Sequence, residues 1–451
     1  MFDIGIIGAG PAGYTAAIRA AQNGMSVILF EREHIGGTCL NKGCIPTKTI
    51  LHSCGIYNEL KNCSKLGINT ENITVDFAKI QGRQKTVSEK IRKSLTGLIK
   101  GYGINIVEES AEIISEHAIK TQTGEYEVAN IIIATGSKPN KIKFNGDYSD
   151  DYVLTSDDIL NLIHLPNSIL IAGSGAIGVE WARILSSLGV KVTVIEILDK
   201  LIPAADFEVS ERVVRLFKKS RIDFYTSVQI EKIEGNIVFL SNCKEIVAEK
   251  VLIAAGRTPD ISFGNISSKL NIKRFVETDS DFRTNIDNIY AIGDINGVSM
   301  LAHSASKQAE NVIEYIINKK HKNFDKTLIP SVIYGTPEIA SIGITEQYLQ
   351  KNNIKYKKSF FPISALGKAY ADDKIEGFVK ILASVDNRIL GAHIISEEAS
   401  AMIQQIAVAM TNNISSDKMA DVVYAHPTYS EAVFESILGL DNIAISIPQN
   451  R

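Results

Sequence analysis

The sequence predicts an α/β protein in which two similar strand–turn–helix–strand units are followed by a smaller α+β domain. Two glycine-rich turns each stand between an apolar strand and a helical stretch. Short apolar runs of the kind that form buried parallel strands recur up to about residue 295. Beyond about Pro330 the pattern changes to paired strands and amphipathic helices. At 451 residues, the chain has room for about two to four domains.

The two glycine-rich turns share their spacing to an acidic residue. The first turn is 8–13 and its unit ends at Glu31, whereas the second turn is 173–178 and its unit ends at Glu196. In both units the acid lies 23 positions after the first glycine. The strands that lead into the turns are Phe2–Ile7 and Ser168–Ala172. One GxGxxG pattern is weak evidence, but a duplicated pattern with a spaced acid predicts two dinucleotide-binding sites.

The chemistry of these turns suits a pyrophosphate and a ribose. Backbone N–H groups at a helix N-terminus attract an anion, and a carboxylate at the next strand end accepts a hydrogen bond from a ribose 2′-hydroxyl. A carboxylate repels the 2′-phosphate of NADP, and no arginine follows Glu196 in Ile197–Leu198. The second site is therefore expected to prefer NAD. The alternative is that the glycines only permit close helix–sheet packing.

The apolar strands outside the duplicated units indicate that the second unit is inserted into the first. A strand ends at Thr135-Gly136 before the insert, a similar strand ends at Gly256-Arg257 near its end, and a third ends at Gly293-Asp294 after it. We therefore divide the chain into a first nucleotide-binding domain at 1–145 and 274–330, a second nucleotide-binding domain at 146–273, and a C-terminal domain at 331–451.

Composition and charge exclude several classes of protein. The chain is 45% hydrophobic and 22% charged with a formal net charge of −3, unlike a basic nucleic-acid binder. No apolar run approaches the roughly 20 residues that span a bilayer. The first strand begins at Phe2 with no room for a signal peptide, so a cytoplasmic location is expected.

Five cysteines are present, and only Cys39 and Cys44 lie close together. Residues five apart in a regular helix differ by about 7.5 Å in rise, whereas a disulfide needs Cα atoms within about 7 Å. The two sulfurs can bond only if the turn is distorted, which Gly43 and Pro46 permit. A disulfide at a helix start in an intracellular chain is expected to be labile and catalytic. The alternatives are a metal site, which has too few ligands here, and two inert cysteines.

Six segments resemble the pyridine-nucleotide disulfide reductases over essentially the whole chain. The most specific is GGTCLNKGCIPTK at 36–48, in which Leu40-Asn41 and Ile45-Pro46 are similar to the members that oxidise dihydrolipoamide. The other five are Ala134-Thr135-Gly136, Gly256-Arg257-Thr258-Pro259, Ala291-Ile292-Gly293-Asp294, Met300-Leu301-Ala302-His303 and His426-Pro427-Thr428-Tyr429-Ser430-Glu431.

The resemblance implies two Rossmann-like domains that bind FAD and NAD and a C-terminal dimerisation domain. It implies that Cys39 is the interchange thiol, that Cys44 lies against the flavin, and that Lys48 and Glu180 pair beside the flavin. His426, oriented by Glu431, would act as general base on the disulfide of the other subunit, so a homodimer is required.

The resemblance also implies the contacts to each cofactor. For FAD they are Gly8, Gly10, Pro11, Ala12, Gly13, Glu31, Lys48, Thr135, Gly136, Gly293, Asp294 and Ala302. For NAD they are Gly173, Gly175, Ala176, Ile177, Gly178, Glu196, Gly256 and Arg257. No metal is expected. The implied activity is oxidation of dihydrolipoamide by NAD⁺, with the lipoyl domain of a dihydrolipoyl acyltransferase or a glycine-cleavage H protein as partner.

Three positions depart from the family pattern. Tyr424 stands where histidine is common, Ser304 where lysine is usual, and Asp260 where asparagine is common.

Two other activities and one non-catalytic role are alternatives. Glutathione reductases share the cysteine pair but use NADP, and Glu196 disfavours NADP binding. Mercuric reductases carry a C-terminal cysteine pair that this sequence lacks. A role as an assembly subunit with little catalysis is the alternative from another class.

Overall fold

A computed structural model describes residues 1–448 of the chain. The last three residues of the predicted C-terminal domain lie outside the described residues. The molecule consists of three domains, of which the first is completed by residues that follow the second. None of the helices within residues 1–448 combines the length and the apolar character that crossing a membrane requires.

The first domain is built on a seven-stranded sheet with the order β3-β2-β1-β6-β5-β4, in which β17 also pairs with β6. The strands β3, β2, β1, β6 and β17 pair in parallel. Its elements are β1 (Phe2–Ile7), α1 (Pro11–Gln22), β2 (Val27–Phe30), α2 (Gly37–Asn41), α3 (Cys44–Asn62), α4 (Phe77–Gly101), β3 (Asn105–Val107), β4 (Glu112–Ser115), β5 (Ala118–Lys120), β6 (Glu125–Ile133), and later β17 (Ile289–Ala291) and α7 (Ala302–Asn318).

The second domain lies between β6 and β17 and carries a five-stranded parallel sheet with the order β11-β10-β9-β15-β8. An antiparallel pair, β7 with β16, connects the two domains. The elements are β7 (Ser137–Pro139), β8 (Val153–Leu154), β9 (Ser168–Ala172), α5 (Ala176–Ser187), β10 (Lys191–Ile195), α6 (Phe207–Lys219), β11 (Asp223–Tyr225), β12 (Ile230–Glu234), β13 (Ile237–Leu240), β14 (Glu245–Val247), β15 (Lys250–Ile253) and β16 (Arg257–Pro259).

The last part of the predicted second domain, residues 263–270, lies against the sheet of the first domain. Phe263, Ile266 and Leu270 are buried in one core cluster with Ile7 and Ile289 of the first sheet. Residues 263–270 therefore pack with the first domain. The segment contains only a short 3₁₀ turn and loops, so its sequence has no strand or helix periodicity to indicate which core it joins.

The third domain packs helices on an antiparallel five-stranded sheet with the order β18-β19-β22-β21-β20. Its strands β21 and β22 are buried along almost their whole length. The elements are β18 (Ser331–Ile333), β19 (Glu338–Gly343), α8 (Glu346–Lys351), β20 (Lys357–Pro362), α9 (Gly367–Ala371), β21 (Phe378–Ala383), β22 (Ile389–Ser396), α10 (Ala399–Thr411), α11 (Ser416–Ala420) and α12 (Glu431–Gly439).

Candidate active site

The first glycine-rich turn brings backbone against backbone at the start of α1. Gly8 has φ of 101°, and a Cβ added to Gly13 would stand 1.8 Å from the Gly8 carbonyl oxygen. A Cβ on Gly37 would stand 2.7 Å from the Cα of Gly10. Glu31 at the end of β2 accepts a hydrogen bond of 2.8 Å from the Ala9 N–H. The turn therefore has the close approach and the fixed acid that a dinucleotide site needs.

The second turn repeats this geometry with one addition. Gly173 has φ of 107°, and a Cβ on Gly178 would stand 1.9 Å from the Gly173 carbonyl oxygen. Glu196 accepts hydrogen bonds from the N–H of Ser174 at 2.9 Å and from its hydroxyl at 2.8 Å. Ser174 was not predicted as a site residue, although its place between the first two glycines was a signal. Gly175 stands at the start of α5, and a Cβ added to it would meet no atom within 4 Å.

A cavity of about 1090 Å³, which we name the FAD-site cavity, is lined by most of the residues predicted to bind FAD. Those that line it are Gly8, Gly10, Pro11, Ala12, Glu31, Lys48, Thr135, Gly136, Gly293, Asp294 and Ala302. Cys39, Cys44 and Glu180 line the same cavity, as do Ala176 and Ile177 of the second turn. The glycine cradle, the helix N-terminus and the acid at Glu31 are donors and acceptors that fit the pyrophosphate and ribose of FAD.

Arg257 and Asp294 both contact Ser137, which was not predicted as a site residue. The Ser137 hydroxyl donates to Asp294 at 2.5 Å, and Arg257 donates to the same hydroxyl at 2.8 Å and to the Ser137 carbonyl at 2.7 Å. Arg257, which was predicted to contact NAD, therefore lies on the wall of the FAD-site cavity. Ser137 directly follows the Thr135-Gly136 turn, which was the available signal.

Cys39 and Cys44 lie on two separate helices that the chain connects by a sharp break. Helix α2 contains Cys39 and ends before Lys42, and α3 begins at Cys44. A Cβ on Gly43 would come 3.1 Å from the Thr38 carbonyl oxygen, so a larger residue would crowd the break. Both cysteines are thiols in the structure. The distortion expected from the spacing is thus a break between two helices.

The two thiols differ in their readiness to ionise. A hydrogen bond from Cys39 lowers the pKa of Cys44 to about 7, against the effect of burial and with help from the Lys48 ammonium. The same hydrogen bond, together with burial, raises the pKa of Cys39. Cys44 also stands at the first position of the 19-residue helix α3, where a negative charge is favoured. The thiolate of the pair is therefore Cys44.

An ion pair between Lys48 and Glu180 joins the first and second domains beside the thiols. The Lys48 ammonium lies 2.8 Å from both carboxylate oxygens of Glu180. Glu180 is buried and also accepts a hydrogen bond of 3.0 Å from the Tyr334 N–H. The Lys48 ammonium lies 4.6 Å from the centre of the Tyr334 ring. The pair expected from the resemblance is thus formed, with a third-domain residue holding both partners.

His426 and Glu431 form a second pair, away from the thiols of the same chain. The Nδ1 atom of His426 lies 2.8 Å from Glu431, which also accepts a hydrogen bond of 2.9 Å from the Thr428 N–H. The His426 side chain is 76% exposed and does not line the cavity that contains Cys39. The imidazole is therefore oriented by Glu431 and free to reach a group outside its own chain.

The three departures from the family pattern occupy different surroundings. Tyr424 packs its ring 5.1 Å from that of Phe434, near His426 in sequence. Ser304 is buried in α7. Asp260 is buried and forms an ion pair of 2.5 Å with Arg32 on the wall of the FAD-site cavity. Of the three residues, Asp260 and Ser304 line that cavity and Tyr424 does not.

The remaining cysteines are separate from this site. Cys54 and Cys63 are buried and Cys243 is exposed. Within residues 1–448, no group of three or more His, Cys, Asp and Glu side chains has an arrangement that could hold a metal ion.

Two family models match the chain. That of the pyridine nucleotide-disulphide oxidoreductases matches residues 2–309, and that of the dimerisation domain of the same family matches residues 329–437. Among solved structures, LpdA from Mycobacterium tuberculosis has a TM-score of 0.90 at 24% identity, over 97% of this chain and 99% of that one. The flavoprotein disulfide reductase RclA from Escherichia coli has a TM-score of 0.86 at 24% identity, over 97% and 99%. These two structures share the fold.

Curated relatives match nearly end to end. A dihydrolipoyl dehydrogenase from Chlamydia pneumoniae is 36% identical over 99% of this chain and 98% of its own length. One from Bacillus subtilis is 34% identical over 98% of this chain and 99% of its own length. A mitochondrial dihydrolipoyl dehydrogenase from Arabidopsis thaliana is 35% identical over 97% and 90%.

Proposed function

The chain belongs to the pyridine nucleotide-disulphide oxidoreductase family, and from this we propose that it oxidises dihydrolipoyl groups to lipoyl groups with NAD⁺ as acceptor. The observation that carries the proposal is the thiol pair Cys39–Cys44 at the FAD-site cavity, with Cys44 at a helix start beside the Lys48–Glu180 ion pair. The full-length similarity to dihydrolipoyl dehydrogenases supports the choice of substrate.

FAD and NAD are the cofactors of this function. When bound, FAD would supply the two-electron redox chemistry that connects the enzyme thiols with NAD⁺. The first glycine-rich turn, Glu31 and Asp294 would hold it, because they line the FAD-site cavity. The second turn and Glu196 would hold NAD. Glu196 carries a negative charge where NADP would place its 2′-phosphate, which favours NAD.

The exchange of thiols starts from the oxidised enzyme, in which Cys39 and Cys44 form a disulfide. His426 of the partner subunit takes the proton from one substrate thiol, and the resulting thiolate attacks Cys39 and releases Cys44 as a thiolate. The second substrate thiol then attacks the sulfur bound to Cys39 and passes its proton to the departing Cys39 sulfur. This closes the lipoyl disulfide and leaves Cys39 as a thiol, Cys44 as a thiolate and His426 protonated. Two electrons and two protons thus leave the substrate: the electrons reduce the enzyme disulfide, and the protons reside on His426 and Cys39.

The low pKa of Cys44 makes it the better leaving group in the first attack, because a thiol of lower pKa leaves faster. Glu431 keeps the imidazole of His426 in one orientation and tautomer through its contact with Nδ1, which leaves Nε2 to take the proton. The Lys48 ammonium stabilises the negative charge that stays on Cys44. Glu180 fixes the Lys48 ammonium by a two-oxygen contact.

A homodimer is the assembly that the dimerisation-domain match supports. The exposed His426 in that domain is available to a second copy. We extend the proposal to a lipoyl group carried on the lipoyl domain of a dihydrolipoyl acyltransferase or on a glycine-cleavage H protein. The cytoplasmic location expected from the sequence stays a prediction.

A steady-state comparison of two reactions tests the proposal. Purified protein with bound FAD should reduce NAD⁺ with dihydrolipoamide and should have little activity with NADPH and oxidised glutathione. The variant Cys44→Ser is the matched control, because it keeps the fold and removes one sulfur. Faster turnover of glutathione than of dihydrolipoamide, or full activity in Cys44→Ser, would reject the function.

A further inference from the structure

The loop 197–205 follows Glu196 and leads into α6, and it is held at both ends. Its first contacts are made within the second domain, where the Leu198 N–H donates to Glu196 at 3.0 Å. The Ile202 N–H donates to the hydroxyl of Ser174 at 3.2 Å. Ser174 belongs to the second glycine-rich turn and is itself bonded to Glu196. The position of this loop therefore sets the position of the groups that form the second dinucleotide site.

On the outer side the third domain holds the end of the same loop. Gln347 of α8 donates to the Ala205 carbonyl at 2.8 Å and accepts from the Phe207 N–H at 3.3 Å. Asp206, at the start of α6, accepts a hydrogen bond of 2.9 Å from the Glu346 N–H. It also lies 2.7 Å from the ammonium of Lys380 in β21. Four hydrogen bonds thus cross from the third domain to residues 205–207.

Lys380 is the centre of this contact and is completely buried. Its ammonium lies 2.7 Å from Asp206, 2.5 Å from Glu208 and 2.6 Å from Glu346, and its side chain and that of Asp206 are both 0% exposed. A second lysine, Lys358, lies 2.9 Å from Glu346. Three carboxylates therefore surround one buried cation, with one further cation at the edge.

The charges in this cluster depend on Lys380. Burial lowers the pKa of its ammonium, but hydrogen bonds to Asp206, Glu208 and Glu346 outweigh burial and raise it. His393 lies 3.6 Å from Asp206, and burial lowers its pKa to about 4, so it is neutral and cannot replace the cation. Without Lys380, Asp206 would face two neighbouring carboxylates with no buried counter-charge.

We propose that Lys380 is a positioning residue for NAD: by holding Asp206, it fixes the loop 197–205 and thereby the Ser174–Glu196 contact of the second dinucleotide site. This rests on the proposed function only in naming NAD as the ligand. Lys380 belongs to a different domain from that site and touches neither the thiol pair nor the FAD-site cavity. The step that uses NAD therefore depends on Lys380, and reduction of the flavin by substrate does not.

The test uses the variants Lys380→Met and Asp206→Asn and measures two half-reactions separately: the one that uses NAD and the reduction of the flavin by dihydrolipoamide. The dissociation constant of NADH and the KM for NAD⁺ should rise by about tenfold or more. The anaerobic rate at which dihydrolipoamide reduces bound FAD, measured without NAD⁺, should stay within about twofold. Lys357→Met is the matched control, since that lysine lies on β20 and pairs with Asp441 on the surface. It should leave both measurements unchanged.

A milder variant covers the case in which removal of the buried cation prevents folding. Gln347→Ala deletes two of the four contacts without leaving a buried charge, and it should raise the dissociation constant of NADH by a smaller factor in FAD-containing protein. Unchanged NADH affinity in Gln347→Ala and Asp206→Asn overturns the proposal, as does an equal loss in both half-reactions. NADH binding needs no dithiol substrate, so failure of dihydrolipoamide turnover would reject the proposed function separately.

Discussion

The thiol of Cys44 gives the reduced protein a specific dependence on pH. Its pKa is lowered to about 7 by the hydrogen bond from Cys39, with Lys48 acting in the same direction. An unfolded cysteine ionises near pH ~8.5. The thiolate therefore stabilises the reduced fold fully above that pH, and this contribution is lost as pH falls through about 7.

We expect thiolate absorbance at 240 nm in the reduced protein to show a step near pH 7, because Cys44 ionises there. Cys44→Ser should lack this step. A first ionisation near ~8.5 in the wild-type protein would show that Cys39 and the helix start do not activate Cys44.

Replacement of His426 tests the general base without disturbing the fold. The His426 side chain is 76% exposed, so His426→Gln should fold and retain FAD. Its dihydrolipoamide turnover should fall by roughly 10²–10⁴-fold, the usual contribution of a positioned base. The exposed histidine His164 provides the control, and His164→Gln should keep full activity. Near-normal turnover in His426→Gln would exclude the assignment.

At the residue scale, the sequence could identify side chains whose partners are set by local geometry. Glu31 and Glu196 were found from their spacing, and the structure places each against the glycine-rich turn of its own unit. Ser137 and Lys380 were missed, because their partners lie far away in the chain. A lysine in the middle of the apolar strand Phe378–Ala383 was nevertheless a signal of a buried charge pair.

At the scale of elements, helix α5 packs so closely on β9 that we expect Gly178→Ala to be destabilising. A Cβ there would stand 1.9 Å from the Gly173 carbonyl oxygen, so Gly178→Ala must displace the helix or the turn. We expect a loss of about 1–3 kcal/mol in the stability of the second domain. NADH binding should weaken while FAD content stays normal.

The control for this change is Gly55→Ala in α3, where an added Cβ meets no atom within 4 Å. Alanine is the better helix former, so this variant should match or exceed the wild-type stability. Thermal unfolding and NADH titration of both variants provide the comparison. Wild-type NADH affinity in Gly178→Ala would mean that the second turn is not the NAD site.

The strands and helices of the duplicated units could be predicted closely because apolar periodicity and glycine turns define them locally. Strands Phe2–Ile7 and Ser168–Ala172 have the bounds that the sequence indicated. The packing of residues 263–270 against the first sheet could not be predicted, because a loop carries no pattern that specifies its packing partner. Local pattern thus predicts the elements, and packing between distant segments decides where a domain ends.

At the scale of the whole molecule, the contacts between domains could not be predicted from sequence spacing. Lys48 and Glu180 are 132 positions apart, and only the family resemblance joined them before the structure did. Lys380 and Asp206 are 174 positions apart and belong to no shared motif. These pairs connect three separately predictable domains, so they depend on the complete tertiary arrangement.

The location of His426 makes a prediction about the dimer. Within one chain, His426 is absent from the lining of the cavity that contains Cys39 and Cys44. If each site combines the thiols of one subunit with the histidine of its partner, mixing two inactive variants should restore activity. We therefore expect Cys44→Ser and His426→Gln, inactive separately, to form active mixed dimers after co-expression.

The activity expected for the co-expressed variants follows from the geometry of a two-fold dimer. In a mixed dimer one site has both defects, whereas the other combines the intact thiols of the His426→Gln chain with the intact histidine of the Cys44→Ser chain. About half of randomly paired dimers are mixed and each has one working site, so the expected dihydrolipoamide activity is about one quarter of wild type. If the histidine acted on its own chain, both sites of every mixed dimer would be defective. Activity no higher than the sum of the two separate variants would then show that each subunit is catalytically self-contained.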